Sequence, residues 1–210
     1  MRVFDAAQLS NAEFGEILLC LRSGGVVGFP TDTAYGLAAN PFDPGAVEEI
    51  FRIKGRPEDK PILLLVDSMA MAHSLTHIAP AAAAVCGRFW PGPLTVVLPA
   101  RSHVPHAITA GSGSVGLRLP EAPFAQRLMG ALQGPVTATS ANLAGRPTAV
   151  TAEEVREQLD GRLEILIDGG TLPERGGSTV FDMTAEPPRV LREGPVPRAA
   201  LEAVLLGRLA

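Results

Sequence analysis

The sequence predicts an α/β fold: a twisted, mixed parallel and antiparallel sheet of about seven strands with helices on its faces. Three observations lead there. Short β-branched runs alternate with segments whose apolar residues recur at helical spacing. After residue 160 some strand-like runs follow each other with no helix between them, which a strictly parallel sheet does not accommodate. Nineteen prolines and 22 glycines in 210 residues favour short elements and sharp turns over a helical bundle.

Taken in order, Ser10 or Asn11 caps a first helix that carries Phe14, Ile17, Leu18 and Leu21 on one face. Gly24 and Gly25 end it, and residues 26–29 read as a short buried strand. A turn, PTDTAYGL (30–37), follows that strand. Asp43 and Pro44 open the next helix as cap and first helical residue. Val47, Ile50 and Phe51 form its buried stripe, and Gly55 and Pro57 stop it. Residues 62–66, five apolar positions between Pro61 and Asp67, read as a central strand. Helices follow at about 69–76 and 80–89, then a strand at 94–98. Further strands are expected at 115–119, 136–139, 165–167, 179–181 and 189–191, with helices at about 124–132, 151–159 and 198–209. Thr151 and Glu154 supply a capping box for the helix at 151. Arg175 to Ser178 is the expected mobile loop. No repeat or long linker divides the chain, so a single domain over 1–210 is expected.

Composition narrows the function by exclusion. Hydrophobic residues at 46% and charged residues at 19% describe a globular chain. A net charge of −4 gives no global attraction to nucleic acid or anionic lipid. No apolar run reaches the ~18 residues a membrane span needs. The start, MRVFDAAQLS, lacks an apolar signal core, so a cytoplasmic protein is expected. Cys20 and Cys86 lie in separate apolar helical patterns and read as reduced core cysteines.

Phosphate-loop, HExxH, GxSxG and paired-cysteine patterns are all missing. His73 and His77 sit four apart on an expected helix, but with no third ligand nearby they read as solvent-facing. Residues 111–116 match GxGxxG literally. A strand pattern follows them where the dinucleotide fingerprint requires a helix, so a flexible loop is the better reading.

Small polar groups and cations gather instead at strand ends. Thr31 and Thr33 follow the strand at 26–29; Ser114 and Arg118 flank the strand after the glycine loop; Thr139, Ser140 and Asn142 end the strand at 136. Ser178 starts one late strand and Arg192 closes another, while Lys54, Arg56 and Lys60 cluster after the second helix. Ligands of α/β sheets commonly sit where such loops diverge. With no thiol or histidine base in the set, it suits an anionic ligand and phosphate chemistry, in which catalysis is positioning and charge stabilisation. Arginine grips a carboxylate or phosphate bidentately, and lysine acts as a point charge.

These residues resemble the YrdC/Sua5 family of threonylcarbamoyl-AMP synthases. The resemblance is carried by PTDTAYGL (30–37), IFRIKGRPEDKP (50–61), FWPGPLTVVLP (89–99), VGLRLP (115–120), TSANLAGRP (139–147), STVFD (178–182) and VLREG (190–194). It implies the short, single-domain form of a YrdC-like fold. It also implies an ATP-dependent nucleotidyltransferase that converts L-threonine, bicarbonate or CO2 and ATP into threonylcarbamoyl-adenylate and pyrophosphate. That product feeds the N6-threonylcarbamoyl modification of adenosine 37 in tRNAs reading ANN codons, through a downstream threonylcarbamoyl-transferase machinery. On the resemblance, the catalytic pair is Lys54 and Arg56. The ATP site adds Lys60, Ser114, Ser140, Asn142, Thr148 and Arg192, and the threonine site comprises Thr33, Leu65, Arg118, Ala138 and Ser178. Many members carry Asn at the position of Lys60 and His at that of Leu65. Mg2+ is expected on the triphosphate, since no carboxylate cluster predicts a protein-bound metal. Two rival readings are an RNA-binding or ribosome-associated module of the same fold, in contact with tRNA or other RNA, and a paralogue that adenylates another carbamate. The acidic balance and 5% aromatic content count against the RNA module.

Overall fold

Side-chain caps set the helix starts. In the computed structural model, which describes residues 1–55, 57, 60–173 and 176–207, β1 (Arg2–Asp5) leads to α1 (Asn11–Arg22). The Ser10 hydroxyl accepts from the Glu13 amide, and the Glu13 carboxylate accepts from the Ser10 amide at 2.8 Å. Such a box is worth about 1 kcal/mol and fixes where the helix begins. A tight hairpin, β2 (Val27–Pro30) and β3 (Tyr35–Ala38), comes next. In α2 (Pro44–Lys54) the Asp43 carboxylate accepts from the Gly45 amide at 2.9 Å, and Gly55 ends the helix in the left-handed conformation at φ 58°.

The middle of the chain holds β4 (Leu64–Leu65), α3 (Met69–Leu75), α4 (Pro80–Phe89), β5 (Leu94–Pro99), α5 (His106–Thr109) and β6 (Ser114–Arg118). Then come α6 (Pro123–Leu132), β7 (Val136–Thr137), β8 (Thr139–Ser140) and α7 (Ala152–Leu159), whose Thr151–Glu154 box closes as the spacing predicts. Finally come β9 (Ile165–Asp168), β10 (Thr179–Asp182), β11 (Arg189–Arg192) and α8 (Arg198–Leu205). The far end of the last expected helix, residues 208 and 209, lies outside the described residues.

The α/β class and the mixed pairing follow the sequence; the count of strands and sheets does not. Instead of about seven strands in one sheet, the described residues form eleven in two. One sheet runs β1-β9-β2-β3-β8 and the other β11-β10-β5-β6-β4-β7. The extra strands have local causes. Residues Arg2–Asp5 form a largely exposed edge strand with no buried alternation to betray it. Tyr35–Ala38 is buried at every position, so half of what reads as a turn is strand. The run at 136–139 breaks at Ala138, with β7 pairing in one sheet and β8 in the other. The expected strand at 62–66 pairs only at Leu64 and Leu65.

Apolar faces bind helices to these sheets. Phe14, Ile17 and Leu21 of α1 and Leu128 and Met129 of α6 pack with Val27, Phe29, Ile165 and Ile167 of the first sheet. A larger cluster joins α2, α4 and α8 to Leu94, Val96, Leu117 and Phe181 of the second. Each fully buried side chain of this size contributes about 1.5–3 kcal/mol, which holds the strand ends in place.

Candidate functional site

Strand alternation builds the floor of a cavity of about 410 Å³. Successive residues of a strand point to opposite faces, so Phe181, Val96 and Leu117 enter the core while their neighbours line the cavity. Those neighbours are Val180 and Asp182 on β10, Thr95 and Val97 on β5, and Ser114, Gly116 and Arg118 on β6. Val97 is paired with both Asp182 and Gly116, so these three lie in one row. Gly116 keeps the floor low: a Cβ there would stand 3.1 Å from Thr95 Cγ2 and 3.5 Å from Leu63 Cβ. The other sheet supplies the facing wall through Thr31, Thr33, Tyr35, Gly36, Thr139 and Ser140. Ala138, where the chain crosses between sheets, lines the seam.

Arg118 ends β6 with its side chain only 4% exposed. Its Nη1 donates to Thr33 Oγ1 at 2.7 Å and lies 3.4 Å from Asp32 Oδ1. Burial pushes its guanidinium down from the ordinary value; the Asp32 charge opposes that and the Arg192 charge adds to it. Thr31 Oγ1 stands 3.2 Å from Thr33 Oγ1 and donates to the Ala34 carbonyl at 2.7 Å. Among the described residues neither carboxylate oxygen of Asp32 has a hydrogen-bond donor, and Arg118 Nε has no acceptor.

Arg192, on β11, is an exposed residue overall, yet partial desolvation in the cleft lowers its guanidinium as well. Its Nε and Nη2 donate to the Ser178 carbonyl at 3.0 and 2.7 Å, and Nη2 also reaches Ser178 Oγ at 3.1 Å. Ser178 Oγ lies 2.7 Å from Thr95 Oγ1. A fixed guanidinium among hydroxyls is suited to a phosphate or carboxylate, with little reorganisation when the anion arrives.

The structure brings Thr33, Ser114, Arg118, Ala138, Ser140, Thr148, Ser178 and Arg192 to this one cavity. Lys54, Lys60, Leu65 and Asn142 are not on its lining. Lys54 stands behind the wall: its buried ammonium donates to the Ser140 carbonyl and, at 2.9 Å, to the Asn142 carbonyl. Asn142 is buried as well, and its Nδ2 donates to the carbonyls of Leu143 and Arg146, which pins the turn after β8. Lys60 is exposed beside Pro61, itself a lining residue. Leu65 is fully buried in the cluster with α1 and α6, away from the cavity. Arg56 and Arg175 lie outside the described residues. Residues 111–113 lead from α5 into β6, the helix–loop–strand order the pattern indicates. His73 and His77 are both exposed, but α3 ends at Leu75, so they do not share a helix. Among the described residues no group of three or more His, Cys, Asp or Glu is placed to hold a metal ion.

The site residues expected from the sequence do not include Thr95, Asp182 or Asp32. For Thr95 the signal was present, because alternation in LTVVLP sets it on the face opposite Leu94, Val96 and Leu98. Asp182 offered the same cue next to Phe181 but reads equally well as a strand end; its Oδ1 accepts from Thr184 Oγ1 at 2.6 Å. Asp32 carries no periodic signal, since its place depends on how the hairpin turn meets β6.

The fold and cavity define an α/β protein whose two mixed sheets share a polar cleft bearing two arginines. The sequence profile of the Sua5_yciO_yrdC family, described as telomere recombination, matches residues 20–194. The chain belongs to that family. It is similar to the threonylcarbamoyl-AMP synthase of Pyrococcus abyssi, with 41% identity over 186 residues, 88% of this chain and 55% of the relative. The threonylcarbamoyl-AMP synthase of Bacillus subtilis is 37% identical over 205 residues, 97% of this chain and 59% of the relative. The chain thus spans between half and two thirds of the length of these two curated relatives. Among solved structures, P. abyssi Sua5 complexed with L-threonine superposes with a TM-score of 0.90 at 38% identity, covering 97% of this chain and 61% of that one. E. coli YciO superposes with a TM-score of 0.85 at 27% identity, covering 95% and 97%. No helix among the described residues is long and apolar enough to cross a membrane.

Proposed function

We propose that this protein is an ATP-dependent L-threonylcarbamoyladenylate synthase. The observation that supports this most is one cavity in which two held guanidiniums, Arg118 and Arg192, stand among hydroxyls from both sheets. Relatives that carry the threonylcarbamoyl-AMP synthase name point the same way.

In this reading the threonine amine adds to CO2, forming an N–C bond and giving up a proton. One carbamate oxygen then attacks the α-phosphorus, the bond to the bridging oxygen breaks, and pyrophosphate leaves. Arg118 binds the amino-acid carboxylate, with Ala138 and Ser178 nearby. Arg192, Ser114, Ser140 and Thr148 face the nucleotide and offset charge as it moves onto the leaving group. Lys60 adds a cation from the segment that enters at Pro61, and the family resemblance alone assigns Arg56 to the same phosphates. Lys54 serves the nucleotide by holding the Ser140–Asn142 wall.

The cavity's own groups are hydroxyls, guanidiniums and the Asp182 carboxylate, already engaged by Thr184 and Arg189. Such a set suits Mg2+ that arrives on the triphosphate and takes its ligands there, where it neutralises phosphate charge. Threonine is favoured over serine by one methyl group, worth ~1 kcal/mol, so serine is a modest competitor. The product passes to the threonylcarbamoyl-transferase machinery for adenosine 37 of tRNAs reading ANN codons, in the cytoplasm; tRNA contact is not needed for the adenylation itself.

The test is pyrophosphate release by the purified protein. Release should require threonine and bicarbonate and fall at least about 100-fold in Arg118→Ala and Arg192→Ala, the scale for loss of a charge-stabilising group. Release that ignores threonine overturns the proposal.

A further inference from the structure

The hydroxyl directions around Arg118 can be worked out from the acceptors. A threonine hydroxyl has one proton to give and two lone pairs to accept with. Thr31 gives its proton to the Ala34 carbonyl, which can only accept. In the contact between Thr31 Oγ1 and Thr33 Oγ1, the proton therefore comes from Thr33. Arg118 Nη1 in turn donates to Thr33. The chain runs one way, Arg118 to Thr33 to Thr31 to Ala34, and the Thr33 proton has a partner inside the protein. The amides of Thr33 and Ala34, each 3.2 Å from Thr31 Oγ1, share its two lone pairs with that proton, so the oxygen is held by three long contacts. Asp32, between the two threonines, supplies the one carboxylate in ion-pair range of Arg118 among the described residues.

From this geometry we infer that the Thr31–Asp32–Thr33 turn is a cradle for Arg118, and that Thr33 is a positioning residue that acts on the amino acid through that guanidinium. This rests on the reading that Arg118 takes the carboxylate of the amino-acid substrate. It differs from a direct contact between Thr33 and the threonine side chain, which needs the Thr33 hydroxyl to face the ligand. The cradle also accounts for a buried cation beside a second one. Desolvation and Arg192 both disfavour the charged guanidinium, and the Asp32 charge opposes them in part.

The experiment compares Thr33→Val, which keeps shape and removes the hydroxyl, with Thr33→Ser, which keeps it. Thermal unfolding confirms that each variant folds. The Nε–H signal of Arg118 is followed by NMR in the ligand-free protein, and the KM for L-threonine and for L-2-aminobutyrate, which lacks the hydroxyl, by pyrophosphate release. Thr33→Val should shift or broaden the Arg118 signal. It should raise KM about tenfold for both acids alike, the scale of one hydrogen bond to a charged group. Thr33→Ser should restore both within about threefold. A loss seen with threonine and absent with 2-aminobutyrate means direct contact with the substrate hydroxyl and overturns the inference. So does an Arg118 signal that Thr33→Val leaves unmoved. If the wild-type protein does not act on threonine, the proposed function fails, and the Arg118 signal alone still decides the cradle.

Discussion

Lys54 separates two meanings of an important cation. In the sequence it stands with Arg56 as the catalytic pair that the family resemblance implies. In the fold its ammonium donates to the carbonyls of Ser140 and Asn142 from behind the cavity wall. Lys54→Met keeps the buried stem and removes the charge. Two carbonyls then lose a charged donor, each bond worth ~1.5–3 kcal/mol, against the relief of no longer burying an ammonium. The net loss should be roughly 2–4 kcal/mol. For a chain of this size that lowers Tm by about 5–15 °C. Calorimetry reads the Tm, and initial rates of pyrophosphate release read the KM for ATP, which should rise as the wall loosens. A Met variant that melts with the wild type yet has no activity would refute the reasoning. Lys54 would then act on the ligand and not on the wall.

Two further predictions follow from single residues. Tyr35 is the chain's one tyrosine, and burial first, with Asp168 nearby, pushes its phenol up to about 12. The folded phenol thus holds its proton above the ordinary value of ~10, so its contribution to stability is complete below ~10 and is lost as pH rises toward the folded value. Phenolate absorbance should titrate near 12 in the native protein and near ~10 in denaturant; a native midpoint near ~10 contradicts it. Gly116→Val raises the cavity floor against Thr95 and Leu63. It should cut kcat/KM at least about tenfold while the overpacking costs only ~1–3 kcal/mol of stability. Unchanged kcat/KM would show that the ligand does not lie over this row.

What the sequence displayed depended on how local the cause was. The starts of α1, α2 and α7 were legible because Ser10, Asp43 and Thr151 cap their own chain within three residues. The division into two sheets was not, because pairing of β7 with β4 and of β8 with β3 is decided by partners some 70 to 100 residues away. The same distinction runs through the site. Arg118, Ser178 and Arg192 stand at strand ends, and strand ends can be counted from the sequence. Lys54 and Leu65 occupy family motifs too, yet their side chains point to the turn after β8 and to the core. A motif reports that a position matters without saying which way its side chain faces. Asp32 shows the converse, a residue whose place depends on a hairpin turn meeting the end of β6 and which no spacing announces.

In the proposed reaction this cleft joins an amino-acid carbamate to the α-phosphate of ATP. Its most direct test is incubation of the purified protein with ATP, L-threonine and isotopically labelled bicarbonate, followed by mass spectrometry of the nucleotide products. The expected product is an adenylate that carries both threonine and one labelled carbon, formed in step with pyrophosphate. Pyrophosphate released with no label in any adenylate, or at the same rate without threonine, would contradict it.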